Sequence, residues 1–188
     1  TDALSERQRR AVQTFTGSDY STINNTILRH PDYRGARGLA GEGDFIKLNR
    51  STINYIDKAM SPLEENVTLY RNAGRISLPD GQIIDPANSV GKVLGDFGFQ
   101  STSVGKPIGF GGTEVKLKMR VMKGVKGVWA KPISKHDLEN ELLLQRGLRM
   151  IVIGAKKNGS NWELDVVVVP DDFKGIPEII KQKATGKG

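Results

Sequence analysis

The hydrophobic pattern divides the chain into a helical N-terminal part and a strand-rich remainder. Up to Met60, apolar side chains recur at three- and four-residue spacing, which predicts a helix from Ser5 through Val12 and another over Asp44–Met60. Ser5 suits the cap of the first helix, and Pro62 ends the second. A further helical segment between them is indicated by Ile23, Ile27 and Leu28.

From about Asn66 onward, short apolar and alternating segments predict β-strands that are separated by glycine or proline. The predicted strands are Val67–Arg71, Phe97–Phe99, Val115–Val121, Glu141–Leu144, Met150–Ile153 and Trp162–Val169. One helix, from Pro86 to Leu94, is predicted among them because proline suits a first helical turn. Helices followed by mostly antiparallel strands indicate an α+β fold.

The length of 188 residues fits one domain with a core of its own. We divide it into a helical lobe (1–62), a β-rich core (63–170) and a C-terminal tail (171–188). The longest apolar runs, such as Val166–Val169, have only four residues, far fewer than the roughly 18 residues of a membrane span, so no span is expected. A start at Thr1 without a signal-peptide pattern is compatible with a domain excised from a larger protein.

The residue inventory narrows the possible chemistry. The chain has no cysteine and only two histidines, His30 and His136, which lie far apart. Disulfides and thiol nucleophiles are therefore excluded, and a metal site is not expected. Neither G-x-G-x-x-G after a strand nor G-x-x-x-x-G-K-[ST] occurs, so the usual phosphate-binding loops are absent.

The net charge of +7 is concentrated in one stretch. The segment from Lys106 to His136 contains eight lysine and arginine residues and only one acidic residue, Glu114. Such a stretch attracts nucleic acid, an acidic protein surface or an anionic cofactor. The alternation of Glu114, Lys116, Lys118 and Arg120 favours the solvated face of a strand, and few aromatic residues accompany it.

Three short motifs on predicted strands have residue types that suit catalysis. Arg71 ends the strand segment Leu69-Tyr70-Arg71, where its planar guanidinium could pair with a carboxylate or bind an anion. In Ser101-Thr102-Ser103 the two serines share a face, and in Glu139-Asn140-Glu141 the two carboxylates do. Like charges so close raise the pKa of at least one member, which suits acid–base chemistry.

In this order, the three motifs resemble the Arg–Ser–Glu signature of bacterial mono-ADP-ribosyltransferase toxins, with the closest likeness to the enzymatic components of iota-type binary toxins that modify actin. The segment Phe15–Asn24 is similar to the aromatic–glycine–tyrosine–isoleucine–asparagine segment of that family, and Pro86–Gln100 to the helix before its serine–threonine–serine strand. The resemblance implies two packed, mostly antiparallel β-sheets that form an NAD⁺ cleft beside N-terminal helices.

The resemblance also implies roles for individual residues. Arg71, Ser101, Glu139 and Glu141 would be catalytic. Arg71 would bind an NAD⁺ phosphate, the backbone at Asn72 would contact the nicotinamide amide, and Ser101 would orient Glu141. The full set of residues expected at NAD⁺ is Tyr20, Asn24, Arg71, Asn72, Ser101, Thr102, Phe110 and Glu141, without a metal.

The chemistry of the two glutamates is consistent with this assignment. When nicotinamide leaves, the ribose gains oxocarbenium character that Glu141 can stabilise electrostatically. A guanidinium is a poor nucleophile because it stays protonated, and Glu139 can orient it and accept its proton. In the family, glutamine at the first position accompanies other acceptors such as asparagine, so glutamate indicates arginine.

We therefore predict a monomeric enzyme, secreted or delivered into a target cell, that transfers ADP-ribose to a protein arginine in the cytosol. Actin is the first candidate for the target, and neither nucleic acid nor a membrane span is expected. The loop Pro132–Leu138 lacks the aromatic residue that often contacts the protein substrate in this family. Two alternatives are an NAD⁺ glycohydrolase that uses water as acceptor and a basic nucleic-acid-binding module.

Overall fold

The computed structural model describes residues 4–14, 43–96, 98–105, 115–130 and 141–174, with only the backbone for 43–50 and Asp96. The helices are α1 (Glu6–Thr14), α2 (Gly43–Ala59) and a short 3₁₀ helix (Pro86–Asn88). The strands are β1 (Ser61–Pro62), β2 (Val67–Ala73), β3 (Ile76–Ser77), β4 (Ile83–Ile84), β5 (Val93–Asp96), β6 (Gln100–Ser103), β7 (Val115–Val121), β8 (Lys126–Trp129), β9 (Glu141–Leu144), β10 (Leu148–Asn158) and β11 (Asn161–Val169).

The chain forms two compact units, each assembled from separate stretches of sequence. The first contains Thr1–Pro62, Phe97–Thr102 and Lys126–Gly147, and the second contains Leu63–Asp96, Ser103–Val125 and Leu148–Gly188. The predicted α+β class is confirmed, because both helices and a predominance of antiparallel strand pairs are present. Among the described helices, none combines the length and apolar character of a membrane span.

In the first unit, where the strand order is β1-β8-β9-β6, the two helices pack against one face of β8 and β9. Val12 of α1 and Ile53 of α2 are fully buried against Val128 and Leu143 of the strands. Asp57 of α2 accepts three hydrogen bonds of 2.8–3.0 Å from Arg146, which follows β9. The helices thus pack on this face through an apolar core that has an ion pair at its edge.

In the second unit, the strand order is β2-β7-β11-β10-β5, with the β3–β4 hairpin as a separate sheet. All these neighbours are antiparallel except β7 and β11, which are parallel. Along β7 the odd-numbered side chains from Val115 to Val121 are buried, so this strand has one apolar face, as its alternation predicted. The even-numbered positions differ from the prediction of a solvated face, because Lys116 is only 6% exposed.

The predicted helix from Pro86 to Leu94 is wrong. Only Pro86–Asn88 is helical, as a single 3₁₀ turn capped by the Asp85 side chain, which accepts a hydrogen bond from Ala87 N. Gly91 then takes φ +85°, a left-handed conformation that ends any helix. The residues from Val93 onward pair with β10 instead, which buries Leu94 to 1% exposure.

The strand predicted at Phe97–Phe99 is displaced along the chain. Gly98 and Phe99 are not in a strand, and the extended segment begins at Gln100. Phe97 lies outside the described residues. Phe99 is nevertheless fully buried in the core under the helices, so its apolar side chain serves packing rather than strand formation.

Gly95 allows a close approach of two chain segments in the second unit. A Cβ atom at this position would lie 2.6 Å from the Cα of Pro79, a separation that real Cβ atoms do not show. We expect Gly95→Ala to lower the free energy of unfolding by about 1–3 kcal/mol, because the backbone must move to relieve the overlap. Chemical denaturation followed by circular dichroism measures this change.

Gly74→Ala is the matched control, because a Cβ at Gly74 would meet no atom within 4 Å. Its unfolding midpoint should stay close to that of the parent protein. An equal loss of stability in both variants would show that the backbone freedom of glycine, and not the contact with Pro79, is what matters at residue 95.

Candidate active site

Arg71 lies on β2 in the second unit, near the end of an apolar face. It pairs with Leu117 of β7, and Leu69, two residues earlier, pairs with Met119. Leu69, Leu117 and Met119 are at most 2% exposed, whereas Arg71 is half-buried. A guanidinium at the edge of an apolar surface has lost part of its hydration, so its interaction with an anion is stronger than in bulk water.

Asn72 follows Arg71 and, by the alternation of the strand, faces the opposite side of the sheet. Its Oδ1 atom is buried and has no hydrogen-bond partner in the part of the chain that the structure describes. Its register partner is Lys116. The expected contact of the Asn72 backbone with nicotinamide stays a prediction.

Ser101 and Thr102 lie in the first unit on β6 and face opposite sides of this strand. Gln100 and Thr102 are buried, whereas Ser101 is half-buried. The Thr102 hydroxyl donates a hydrogen bond of 2.7 Å to the carbonyl of Leu142 on β9. This bond ties β6 to β9 and leaves Ser101 on the face opposite that of Thr102.

Glu141 begins β9 and is 7% exposed. Its carbonyl accepts a hydrogen bond of 2.9 Å from Ala130 N, the residue after β8. Two residues further along β9, Leu143 packs in the same core as Phe99, which lies two residues before Ser101. Ser101 and Glu141 thus lie on two neighbouring strands of the first unit, and the expectation that Ser101 orients Glu141 stays a prediction.

Four of the predicted site residues lie outside the described part of the chain: Tyr20, Asn24, Phe110 and Glu139. The prediction that Glu139 and Glu141 share a strand face is therefore untested, since the strand begins at Glu141. Arg71 belongs to the second unit and is described there by itself.

Gln100 is a buried polar residue of β6 that was not among the residues expected at the site. This side chain is 1% exposed, and its Oε1 atom has no hydrogen-bond partner among the described residues. The feature of the sequence that could have indicated it is a glutamine directly after Phe99, at a buried strand position where an apolar residue is usual. No group of three or more histidine, cysteine, aspartate or glutamate side chains in the described ranges is placed to hold a metal ion.

A family model described as ADP-ribosyltransferase exoenzyme matches residues 1–173. This chain belongs to the ADP-ribosyltransferase exoenzyme family. No curated protein matches the sequence.

Several solved structures have the same fold. Plx2a, an ADP-ribosyltransferase toxin from Paenibacillus larvae, is 22% identical with a TM-score of 0.70, over 89% of this chain and 88% of that one. C3stau2 from S. aureus, solved with NAD, is 19% identical with a TM-score of 0.65, over 90% and 89% of the two chains. The ADP-ribosyltransferase Vis, solved in complex with agmatine, is 20% identical with a TM-score of 0.63, over 90% and 77%.

The family assignment confirms the predicted ADP-ribosyltransferase fold and the predicted enzyme class. The protein is an ADP-ribosyltransferase of the bacterial toxin type, and NAD⁺ is its co-substrate. Protein targets are typical of this class, whereas the acceptor side chain and the individual site residues stay predictions.

Thr102→Val should test the link between β6 and β9, because valine keeps the shape of threonine and removes the hydroxyl. The Leu142 carbonyl loses a buried donor, so the free energy of unfolding should fall by about 1–3 kcal/mol. If this bond holds Ser101 and Glu141 in position, the rate of NAD⁺ cleavage should also fall severalfold at a temperature where the variant stays folded.

Thr102→Ser retains the donor and should preserve the rate of NAD⁺ cleavage, with only a small loss of stability from the missing methyl group. A normal rate in folded Thr102→Val would mean that the bond supports the fold without positioning Ser101 and Glu141 for the reaction.

Proposed function

We propose that the protein transfers ADP-ribose from NAD⁺ to an arginine side chain of a target protein. The observation that carries the proposal is Glu141, a glutamate held at 7% exposure at the start of β9, the strand next to the one that contains Ser101. Glu139 precedes it by two residues, which completes a pair of carboxylates with different tasks.

Glu141 acts on the sugar. Departure of nicotinamide leaves positive charge on the ribose, and a carboxylate with little access to water stabilises that charge more strongly than an exposed one. Ser101, on the neighbouring strand, orients this carboxylate through its hydroxyl. Arg71 binds an NAD⁺ phosphate through its planar guanidinium, which matches two oxygens at once.

Glu139 acts on the acceptor. It pairs with the incoming guanidinium, directs one nitrogen to the anomeric carbon and accepts its proton as the new bond forms. The complex of Vis with agmatine supports this choice, because agmatine ends in a guanidinium like that of arginine. A glutamine at residue 139 would keep the size of the side chain and lose the ion pair.

Actin is the first candidate for the target, on the resemblance to iota-type toxins. We further propose that the protein acts as a monomer in the cytosol of a cell into which it is delivered. Tyr20, Asn24, Asn72 and Phe110 complete the NAD⁺ site in this proposal, and Thr102, which was also expected at NAD⁺, contributes through its buried hydrogen bond to Leu142.

The nucleic-acid-binding alternative is weakened by the structure of β7. Lys116 is 6% exposed, and Arg120 is engaged by Asp165 through two hydrogen bonds of 3.1 and 3.2 Å. Of the even-numbered basic residues on this strand, only Lys118 is exposed, which is too little for a surface that binds a phosphate backbone.

Replacement of each glutamate by glutamine separates the two tasks. Glu141→Gln should abolish both nicotinamide release and protein labelling. Glu139→Gln should suppress arginine labelling and spare much of the slow hydrolysis of NAD⁺ by water. The differences should reach about 10²–10⁴ in rate, as is usual for groups that transfer protons or orient reactants. Labelled NAD⁺ with cell lysate, mass spectrometry of the modified residues and a nicotinamide assay provide the measurements.

Glu65→Gln, at an exposed position, is the charge-matched control and should behave like the parent protein. Equal loss of hydrolysis in the Glu139 and Glu141 variants would contradict the division of labour. Modification of asparagine or another residue in the parent protein would contradict arginine as acceptor while leaving the NAD⁺ chemistry in place. Hydrolysis without any protein labelling would favour the glycohydrolase.

A further inference from the structure

The second unit contains a pocket that the transfer reaction does not use. It has a volume of about 380 Å³ and is lined by charged and aromatic side chains from four strands. They are Tyr70, Lys116, Lys118, Lys156, Glu163 and Asp165. The volume is within the range of small-molecule sites in proteins.

The pocket lies on the opposite side of this sheet from Arg71. On β2, Arg71 shares the buried apolar face with Leu69, and Tyr70 between them faces the other way. Tyr70 pairs with Lys118, which in turn pairs with Asp165 of β11. These side chains therefore form a surface of their own, separate from the predicted position of the NAD⁺ phosphate.

Small residues at an irregularity of β10 leave the space open. The register between β10 and β11 shifts between Val152 and Gly154, and Gly154 then pairs with Asp165. Gly154 has no side chain, and the next residue, Ala155, has only a methyl group. Both line the pocket, so the hollow in this face results from the bulge and from the absence of large side chains beside it.

The charges in the pocket favour an anion. Asp165 accepts two hydrogen bonds from Arg120, and these bonds raise the pKa of the guanidinium. The negative charge of Asp165 is therefore already balanced by Arg120. Three lysines then face one remaining carboxylate, Glu163. In the described ranges, Lys118 and Lys156 have no hydrogen-bond or ion-pair partner, and both are exposed to an incoming ligand.

Tyr70 adds a flat aromatic surface to these ammonium groups. It is half-buried and stands directly opposite Lys118 in the antiparallel β2–β7 pair. An aromatic ring beside lysines can stack on a nucleobase while the lysines bind phosphate. We propose that this pocket binds a nucleoside monophosphate, with the base against Tyr70 and the phosphate on Lys118 and Lys156. The site is independent of the arginine transfer proposed above.

Calorimetric titration with AMP and with inorganic pyrophosphate tests the proposal. The double variant Lys118→Gln/Lys156→Gln should bind AMP at least about tenfold more weakly. Loss of a single charge-assisted hydrogen bond typically lowers the affinity by about this factor. Tyr70→Leu should weaken AMP binding and leave pyrophosphate binding unchanged. Circular dichroism shows whether each variant is folded.

The control Lys123→Gln/Lys157→Gln removes the same charge from two exposed lysines outside the pocket, one of them adjacent to Lys156 on the other face of β10. It should bind AMP like the parent protein. If AMP binding is weakened equally in the two double variants, the effect comes from the general attraction of a basic protein for anions, and the proposal is overturned. If Tyr70→Leu leaves AMP binding unchanged, or pyrophosphate binds as tightly as AMP, the nucleoside part of the assignment is overturned.

Arg71→Lys distinguishes this site from the NAD⁺ cleft. AMP affinity should be retained in this variant even though NAD⁺ binding is expected to weaken. Loss of AMP binding in Arg71→Lys, with retention in Lys118→Gln/Lys156→Gln, would place AMP on the Arg71 face and overturn the second site without affecting the proposed transfer reaction.

Discussion

The hydrogen bond from the Thr102 hydroxyl to the Leu142 carbonyl, 2.7 Å long and buried, connects the two strands that contain Ser101 and Glu141. Because side chains alternate along a strand, a slip of one residue would turn one of the two away from the other. A buried donor and acceptor that satisfy each other are costly to separate, so the pairing of β6 with β9 is well defined. The electrostatic role that we propose for Glu141 depends on this constraint.

Alternation also gives the second unit two faces with different chemistry. On β7, Leu117 and Met119 support the apolar side that includes Arg71, while Lys116 and Lys118 line a polar hollow on the other side. The same seven residues of β7 thus serve both surfaces. A substitution on β7 therefore affects either the apolar side or the polar hollow, depending on whether the residue number is odd or even.

Strong local patterns could be predicted from the sequence. The alternation along β7 and the helical spacing in α1 and α2 predicted the type of each of these elements correctly, because each buries its own apolar face. The helix predicted after Pro86 failed because pairing of Val93 with β10, a partner distant in sequence, outweighed local preference. The burial of Lys116 and the hollow beside Gly154 depend on strand neighbours, which no local pattern contains. The roles of Ser101 and Glu141 rest on the resemblance to a family and stay predictions.

The parallel pairing of β7 with β11 has a consequence for synthesis on the ribosome. Val115 of β7 pairs with Trp162, and the intervening chain includes Lys126–Gly147, which belongs to the first unit. β2 and β7 can pair early in synthesis. β11, the other neighbour of β7, becomes available only after the intervening residues have left the exit tunnel. During that interval one edge of β7 has no strand to cover it. Contacts of such long sequence separation slow folding, so we expect the nascent chain to depend on protection from aggregation at this stage.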